Sequence, residues 1–125
     1  MQMEHLNFTR NVLGTKAAAR LEARQVIQTI RAGSSSIVQD IADGRVKPGD
    51  IIQVSLNEEF VGYARFTGLE KISWKQLSQE DARRGGFDNR FELAYALKRA
   101  GYRFVPLDKY QVYRYRFSWL EEDEP

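Results

Sequence analysis

The sequence predicts an α+β fold, with about three helices packed around a small β-structure in a single domain spanning residues 1–120. Helix-capping residues and helical spacing of apolar side chains predict a long first helix and two shorter ones. A hairpin pattern over residues 51–67 and an alternating stretch over residues 110–119 predict the strands. A chain of 125 residues is long enough to bury one core without disulfides or metals.

The residue types exclude several chemistries. The chain has no cysteine and one histidine, His5. Thiol catalysis, disulfide bonds and cysteine-based metal sites are therefore impossible, and one histidine cannot build a multi-histidine metal site. We expect no metal, no cofactor and no catalytic residue of these kinds.

The formal net charge of +2 conceals an asymmetry. Four acidic residues stand in the last five positions, 121–125, which we expect to form a disordered tail. Residues 1–120 then hold 19 basic and 13 acidic residues, a net charge of +6. A basic body with an acidic tail indicates a polyanionic partner. Ordinary solvated surface charge is the alternative reading.

Other features concern location. No apolar run approaches the ~20 residues of a membrane span, and residues 1–5 lack the features of a signal peptide. We expect a cytoplasmic protein that does not contact membranes and acts as a monomer.

The first elements are a short strand at Leu6–Phe8 and a helix from Thr15, its N-cap, to Ala32, with Gly33 just past its end. Spacing puts Ala19, Ala23, Val26 and Ile30 on the apolar face of this helix. Lys16, Arg20, Arg24 and Arg31 line an adjacent face, where only Glu22 offers neutralisation. This stripe suits phosphate binding or, equally, an ordinary wet face.

The middle of the chain predicts turns and strands. Residues 34–39 are interpreted as a polar turn running into a short strand, and residues 47–50 as a Pro-Gly turn. Residues 51–56 and 60–67 form the hairpin, in which Gly62 indicates a bulge or a close approach.

Helix-capping residues predict two helices in the last part of the chain. Ser78 and Asp81 match a capping box for a short helix ending at Gly85–Gly86. Asn89 begins a helix that stops at Gly101. Strands at residues 102–105 and 110–119 complete the fold.

Three motifs stand in one order along the chain: Lys47-Pro48-Gly49-Asp50-Ile51, Gly62-Tyr63-Ala64 and the run from Leu77 to Phe87. Together, over about residues 15–118, they resemble the ASCH domain, a branch of the PUA-like superfamily. The resemblance implies a small mixed PUA-like β-barrel with helices outside and a cleft beside it. It also implies a role in binding RNA or another nucleic acid.

Some members of that family are amidohydrolases acting on an acylated cytidine nucleoside, with a G-x-K-x-x-T-x-R segment. Placing this segment at Gly33 puts Ser35, Val38 and Asp40 at its Lys, Thr and Arg positions. A second placement uses Thr29 and Arg31 as the T-x-R pair but leaves Val26 where Lys should stand; we prefer the first.

The family's carboxylate falls near Gly85, where no acid stands. The hydrolase pattern is thus unmatched, and we assign no catalytic residue. An enzyme with a displaced catalytic set and a protein-interaction adaptor are the alternatives to nucleic-acid binding.

The candidate nucleic-acid-binding residues are cations for phosphates, hydroxyls for phosphate oxygens and aromatic rings for bases. They are Lys16, Arg20, Arg24, Arg31, Ser34, Ser35, Arg45, Lys47, Tyr63, Trp74, Arg83 and Arg84. Core or rim packing is the competing interpretation of Trp74 and Tyr63.

Overall fold

Five strands form one sheet in a computed structural model that describes residues 4–32, 35–102 and 111–121. The strands are β1 (Glu4–Phe8), β2 (Gln28–Ala32), β3 (Ile51–Leu56), β4 (Glu59–Ser73) and β5 (Gln111–Trp119). The helices are α1 (Arg10–Leu13), α2 (Thr15–Glu22), α3 (Ser36–Ala42), α4 (Gln79–Arg84) and α5 (Arg90–Arg99), with a 3₁₀ turn at Trp74–Gln76.

The sheet is mixed and curls into a half-barrel. Its strand order is β1-β3-β4-β5-β2. β1 runs parallel to β3, and the other pairs are antiparallel. β1 and β2 stand at the two ends of this strand order. A side-chain hydrogen bond connects them, in which Arg31 Nη2 on β2 donates to the Asn7 carbonyl on β1 at 3.2 Å. The predicted α+β class with a small mixed barrel is confirmed.

The core lies between the curled sheet and the helices outside it. Tyr115 on β5, Phe66 on β4 and Leu6 on β1 are fully buried. α2 buries Leu21, and α5 buries Leu93 with its neighbours at helical spacing. Burying these apolar faces is the main favourable term in holding helices to a sheet.

The predicted helix from Thr15 to Ala32 is wrong beyond Glu22. Arg24 has φ of 60°, a left-handed conformation that ends the helix. Residues 28–32 then pair with β5 as β2, so strand pairing overrides the helical spacing of the sequence. At the other end, Gly14 occupies the N-cap position assigned to Thr15.

The apolar face predicted for that helix does not exist as one surface. Ala19 and Ala23 are exposed, whereas Val26 and Ile30 are buried from extended backbone. The helix instead buries Ala17, Ala18 and Leu21. The predicted basic stripe is divided in the same way, because Arg31 lies on β2.

The strand predicted within residues 34–39 is a helix, α3. Ser35 is its N-cap, and the hydroxyl accepts from Val38 N at 3.4 Å. Ile37 and Val38 are buried, which anchors α3 against the sheet. With α1 and α3 added, the described part of the chain has five α-helices instead of about three.

Several local predictions are confirmed. The β3–β4 hairpin forms, and β4 continues to Ser73. Ser78 caps α4 in a capping box with Asp81, and Asn89 caps α5. The bulge predicted at Gly62 is present, because the β3–β4 register shifts between Val54, which pairs with Gly62, and Ser55, which pairs with Phe60. The Arg24 guanidinium lies 3.0 Å from where a Cβ of Gly62 would stand.

Some predictions lie outside the described residues. They are the position of Ser34, most of the strand at 102–105 and the tail at 122–125.

Gly86 provides a test of the packing between α2, α4 and the start of β2. It has φ of +93°, and a Cβ there would lie 2.8 Å from Val26 Cγ2. We expect Gly86→Ala to lower the free energy of unfolding by about 2 to 4 kcal/mol, since backbone strain and overpacking add. Gly62→Ala is the control. It meets only the movable end of Arg24 and should cost less than about 1 kcal/mol in urea unfolding. Equal losses would contradict this account.

Candidate functional site

A cavity of about 240 Å³ opens where β1 and β2, the two edges of the half-barrel, face α1, α4 and α5. Its apolar wall includes Phe8, Ile30, Phe87, Leu93, Leu97 and Tyr102. Its polar groups come from Asn7, Gln28, Thr29, Arg31 and Asp81. A mostly apolar pocket with a few fixed polar groups is the usual form of a ligand site.

Arg31 brings a positive charge into this cavity. Its Nε donates to Thr29 Oγ1 at 3.3 Å, its Nη2 donates to the Asn7 carbonyl, and its guanidinium lies 5.3 Å from the Phe8 ring centre. Burial lowers the pKa of the Arg31 guanidinium, and the nearby Tyr102 and Tyr115 partly offset this. No carboxylate pairs with Arg31 among the residues described. A desolvated cation without a counter-ion favours an anion or a strong acceptor as ligand.

Asp81 is the acid of the cavity, and its two oxygens are fully engaged. Arg114 Nε and Nη2 donate to them at 2.7 and 2.9 Å, and Gln28 Nε2 donates at 2.9 Å. Ser78 adds its backbone N–H and its hydroxyl. Burial opposes ionisation, but the bonds from Arg114, Gln28 and Ser78 outweigh it and lower the pKa of Asp81 to about 2.

The Asp81 contact belongs to a ring of five side chains. Arg114 Nη1 donates to Glu70 at 2.9 Å, and Arg116 lies 3.4 Å from the same Glu70 oxygen. Arg116 Nε in turn donates to Gln28 Oε1 at 3.0 Å. Gln28, only 1% exposed, is therefore held at both ends of its amide and presents a fixed orientation to the cavity.

These arrangements limit the chemistry of the cavity. A general base needs a pKa near the working pH and an oxygen within reach of the proton. Asp81 has a pKa of about 2 and oxygens already occupied, so it is a weak base. The Thr29 hydroxyl accepts from cationic Arg31, which does not activate it as a nucleophile. The cavity is better built for binding than for proton transfer.

The structure places Thr29 and Arg31 together in the cavity. Ser35, Val38 and Asp40, used in the preferred placement of the hydrolase segment, lie at or within α3 and do not line it. The second placement is thus the one that agrees with the geometry. At its Lys position, Val26 is fully buried.

Two of the helix cations are neutralised across the chain. Lys16 Nζ lies 2.9 Å and Arg20 Nη2 lies 2.6 Å from the Asp88 carboxylate. Arg20 also donates to the Gly86 carbonyl. Glu22, the neutraliser expected from the sequence, instead pairs with Arg10.

Arg24 and Tyr63 pack near β4 and β5, away from the cavity lining. Arg24 donates to the Val61 carbonyl at 3.1 Å and lies 5.9 Å from the Trp119 ring centre. Tyr63 is half-buried, with its ring 5.0 Å from that of Phe60.

The remaining candidates lie on other surfaces. Arg45 is exposed and lies 3.6 Å from Asp40, and Lys47 is exposed in the turn before β3. Arg84 pairs with Glu80 at 3.1 Å, whereas its neighbour Arg83 is exposed. Trp74 is half-buried and lines a separate groove. Of the described candidates, Arg31 alone lines the 240 Å³ cavity.

Sequence reasoning missed Gln28, Asn7 and Asp81 as cavity residues. Asp81 was visible only as a capping residue, and Gln28 only as a polar neighbour in a supposed helix. The one signal in the sequence for the cavity residues of β2 was the second placement of the hydrolase segment, which uses Thr29 and Arg31 as its T-x-R pair.

The described residues contain no group of three or more His, Asp or Glu side chains placed to hold a metal ion. None of the described helices has the length and apolar character needed to cross a membrane.

Comparisons with known proteins agree on the fold. No family model and no curated protein matches the sequence. Among solved structures, protein EF3133 from Enterococcus faecalis V583, of family DUF984, is similar with a TM-score of 0.61 and 13% identity, over 96% of this chain and 78% of that one. The ASCH domain from Lactobacillus crispatus JV V101 has a TM-score of 0.58 and 11% identity, over 90% and 79%.

A third similar structure is that of hypothetical protein PH0355, with a TM-score of 0.57 and 16% identity, over 94% of this chain and all of that one. At these identities the likeness concerns the fold. The chain therefore has an ASCH-like, PUA-like fold with a cleft at the edges of its half-barrel, as its motifs predict.

The Asp81 network predicts an acid-dependent loss of stability. Because the folded pKa of Asp81 lies below the unfolded value, its stabilisation is complete above about pH 5 and is lost as the pH falls towards about 2. We expect a contribution of about 1 to 2 kcal/mol in urea unfolding followed over this range.

Asp81→Asn should remove that pH dependence and lower the free energy of unfolding at pH 7 by about 3 kcal/mol, since Arg114 loses a buried partner. Glu80→Gln, which breaks only the exposed pair with Arg84, is the matched control and should cost under about 1 kcal/mol. An unchanged acid profile in Asp81→Asn would refute the assignment.

Proposed function

We propose that this protein is a nucleic-acid-binding module, most directly an RNA-binding one, whose cavity receives a single unpaired nucleotide. The observation that carries the proposal is Arg31, a half-buried cation that lines the cavity without a carboxylate partner in the described part of the chain. A phosphate or a base acceptor would supply the missing interaction.

The size and lining of the cavity support this ligand class. At about 240 Å³ it is smaller than the roughly 300 to 1,000 Å³ of drug-sized sites, which suits one nucleoside. Phe8, Phe87 and Tyr102 offer aromatic surface to a base, and the fixed Gln28 amide offers a polar group for its edge. Sequence-specific RNA recognition usually takes unpaired bases into such pockets.

Charge and fold add support. Residues 1–120 carry a net charge of +6, which favours a polyanion. The similar structure from Lactobacillus crispatus is an ASCH domain, and the family resemblance implies nucleic-acid binding. The absence of cysteine fits action in the cytoplasm.

A nucleoside amidohydrolase is the second candidate, favoured by the presence of Thr29 and Arg31 in the cavity. Against it, Val26 stands at the Lys position, and Asp81 is a weak base held by Arg114. Incubation of the pure protein with N-acetylated cytidine separates the two. Release of acetate at a rate abolished by Thr29→Val would favour the enzyme.

Binding is tested with a labelled single-stranded RNA at several salt concentrations. We expect affinity to fall with salt, by about 0.7 log units per log unit of salt for each phosphate neutralised. Arg31→Gln should weaken binding about tenfold or more, because it removes the cation of the cavity.

Arg31→Lys keeps the charge and should retain part of the affinity. Arg65→Gln is the matched control, because Arg65 is exposed and its Nη1 donates to the Gly49 carbonyl on a surface away from the cavity lining. Circular dichroism checks that each variant folds. Affinity that is independent of salt, or equal in Arg31→Gln and wild type, would exclude this function for the cavity.

A further inference from the structure

The exposed side of α5 carries two large aromatic side chains in water. Phe91 is 71% exposed and Tyr95 is 62% exposed, more than any other large apolar residue described. Residues four apart on a helix lie on the same side, with an axial separation of about 6 Å. Exposing two such rings side by side is unfavourable for a domain that has no partner for them.

Cations without counter-ions in the described residues lie on this side of α5 and along the groove beside it. Arg90, Lys98 and, from the adjoining 3₁₀ turn, Lys75 form no ion pair with any residue that the structure describes. Lys98 follows Tyr95 by three positions and Phe91 by seven, so it continues the same stripe. The one acid of α5, Glu92, faces Lys16 and accepts from the Asp88 backbone N–H.

Grooves border this stripe on both sides. One, of about 290 Å³, is lined by Trp74, Lys75, Arg90 and Phe91 among others. The other, of about 250 Å³, lies beside Tyr95 and Arg99. The rings thus stand on a ridge with concave, basic flanks, a shape that can take bases on the ridge and a backbone along its side.

We propose that Phe91, Tyr95, Arg90, Lys98 and Lys75, here named the α5 ridge, form a binding track for single-stranded nucleic acid. Two successive bases stack on Phe91 and Tyr95, and the intervening phosphates meet the cations. Aromatic platforms beside unpaired cations are the recurrent chemistry of single-strand binding. This inference rests on the proposed function and extends it from one nucleotide in the cavity to the path of the strand.

The spacing of the rings selects single strands. The two residues are about 6 Å apart along the helix axis, which exceeds the ~3.4 Å rise between stacked bases of a duplex, so we expect two bases to use both rings only when unstacked. α5 also connects the two sites, because Leu93 and Leu97 on its opposite side line the cavity. One helix therefore bears a base-sized cavity on one face and a strand track on the other.

The test compares a fluorescent 12-nucleotide polyuridine RNA with an RNA duplex of equal length. Phe91→Ala and Tyr95→Ala should each weaken polyuridine binding by about tenfold, in line with the loss of one stacked base. Phe60→Ala is the matched control. Phe60 is 47% exposed but lies on the β3–β4 hairpin, and its loss should leave affinity within about twofold.

The contribution of charge is tested with Lys98→Gln. This substitution should reduce the slope of log affinity against log salt concentration by about 0.7. Arg65→Gln should leave the slope unchanged. All five positions are exposed, so the variants are expected to fold, and urea unfolding verifies it.

Three outcomes overturn the track. The first is unchanged affinity in both aromatic variants. The second is equal loss in Phe60→Ala. The third is a dimer in light scattering that Phe91→Ala dissociates, which would make the ridge an interface between two copies. Unchanged affinity in these variants together with loss in Arg31→Gln would reject the track and leave the proposed function standing. Absence of all RNA binding would reject both.

Discussion

The ion pair between Asp81 and Arg114 is the interaction on which the rest of the site depends. Its two hydrogen bonds, at 2.7 and 2.9 Å, join α4 to β5. The same carboxylate caps α4 through Ser78 and holds Gln28 of β2. Arg114 also holds Glu70 of β4, so one buried pair orders a helix and three strands. Removing either partner would leave a charge uncompensated in a largely buried place, which is costly.

This arrangement explains the electrostatics of the cavity. Arg114, Gln28 and Ser78 occupy both oxygens of Asp81, the acid that lines the cavity, and no ion pair joins it to Arg31. Arg31 is instead fixed by neutral acceptors, the Thr29 hydroxyl and the Asn7 carbonyl, and by the Phe8 ring. These hydrogen bonds of Arg31 therefore fix the position of its positive charge without neutralising it. Arg31 thus makes a structural contact between the two edge strands and carries the charge that we propose binds the ligand.

Local signals in the sequence predicted local structure well. The caps at Ser78 and Asn89 and the β3–β4 hairpin depend on residues a few positions apart, and all three form. The order of the predicted elements and motifs along the chain indicated the α+β class and the ASCH-like fold. β2 was mistaken for helix because its partner, β5, is more than 80 residues away, as in the contact between Gln28 and Arg116. The cavity depends on such distant pairs, so only Arg31 among the predicted residues was placed in it.

Contacts between residues that are distant in the sequence also determine which cations are available to a binding partner. Lys16 and Arg20 were selected for their helical spacing, but both pair with Asp88, far along the chain, and Glu92 lies 4.0 Å from Lys16. Arg90 and Lys98 belong to a helix selected only for its apolar face, and they have no acidic partner in the described residues. A count of positive charges therefore predicts that a polyanion can bind without predicting where. The location follows from which acids the fold brings beside which cations. Arg31 in the cavity and Arg90 and Lys98 of α5 are among the cations without an acidic partner in the described residues, and so are Lys47 and Arg83 on other surfaces.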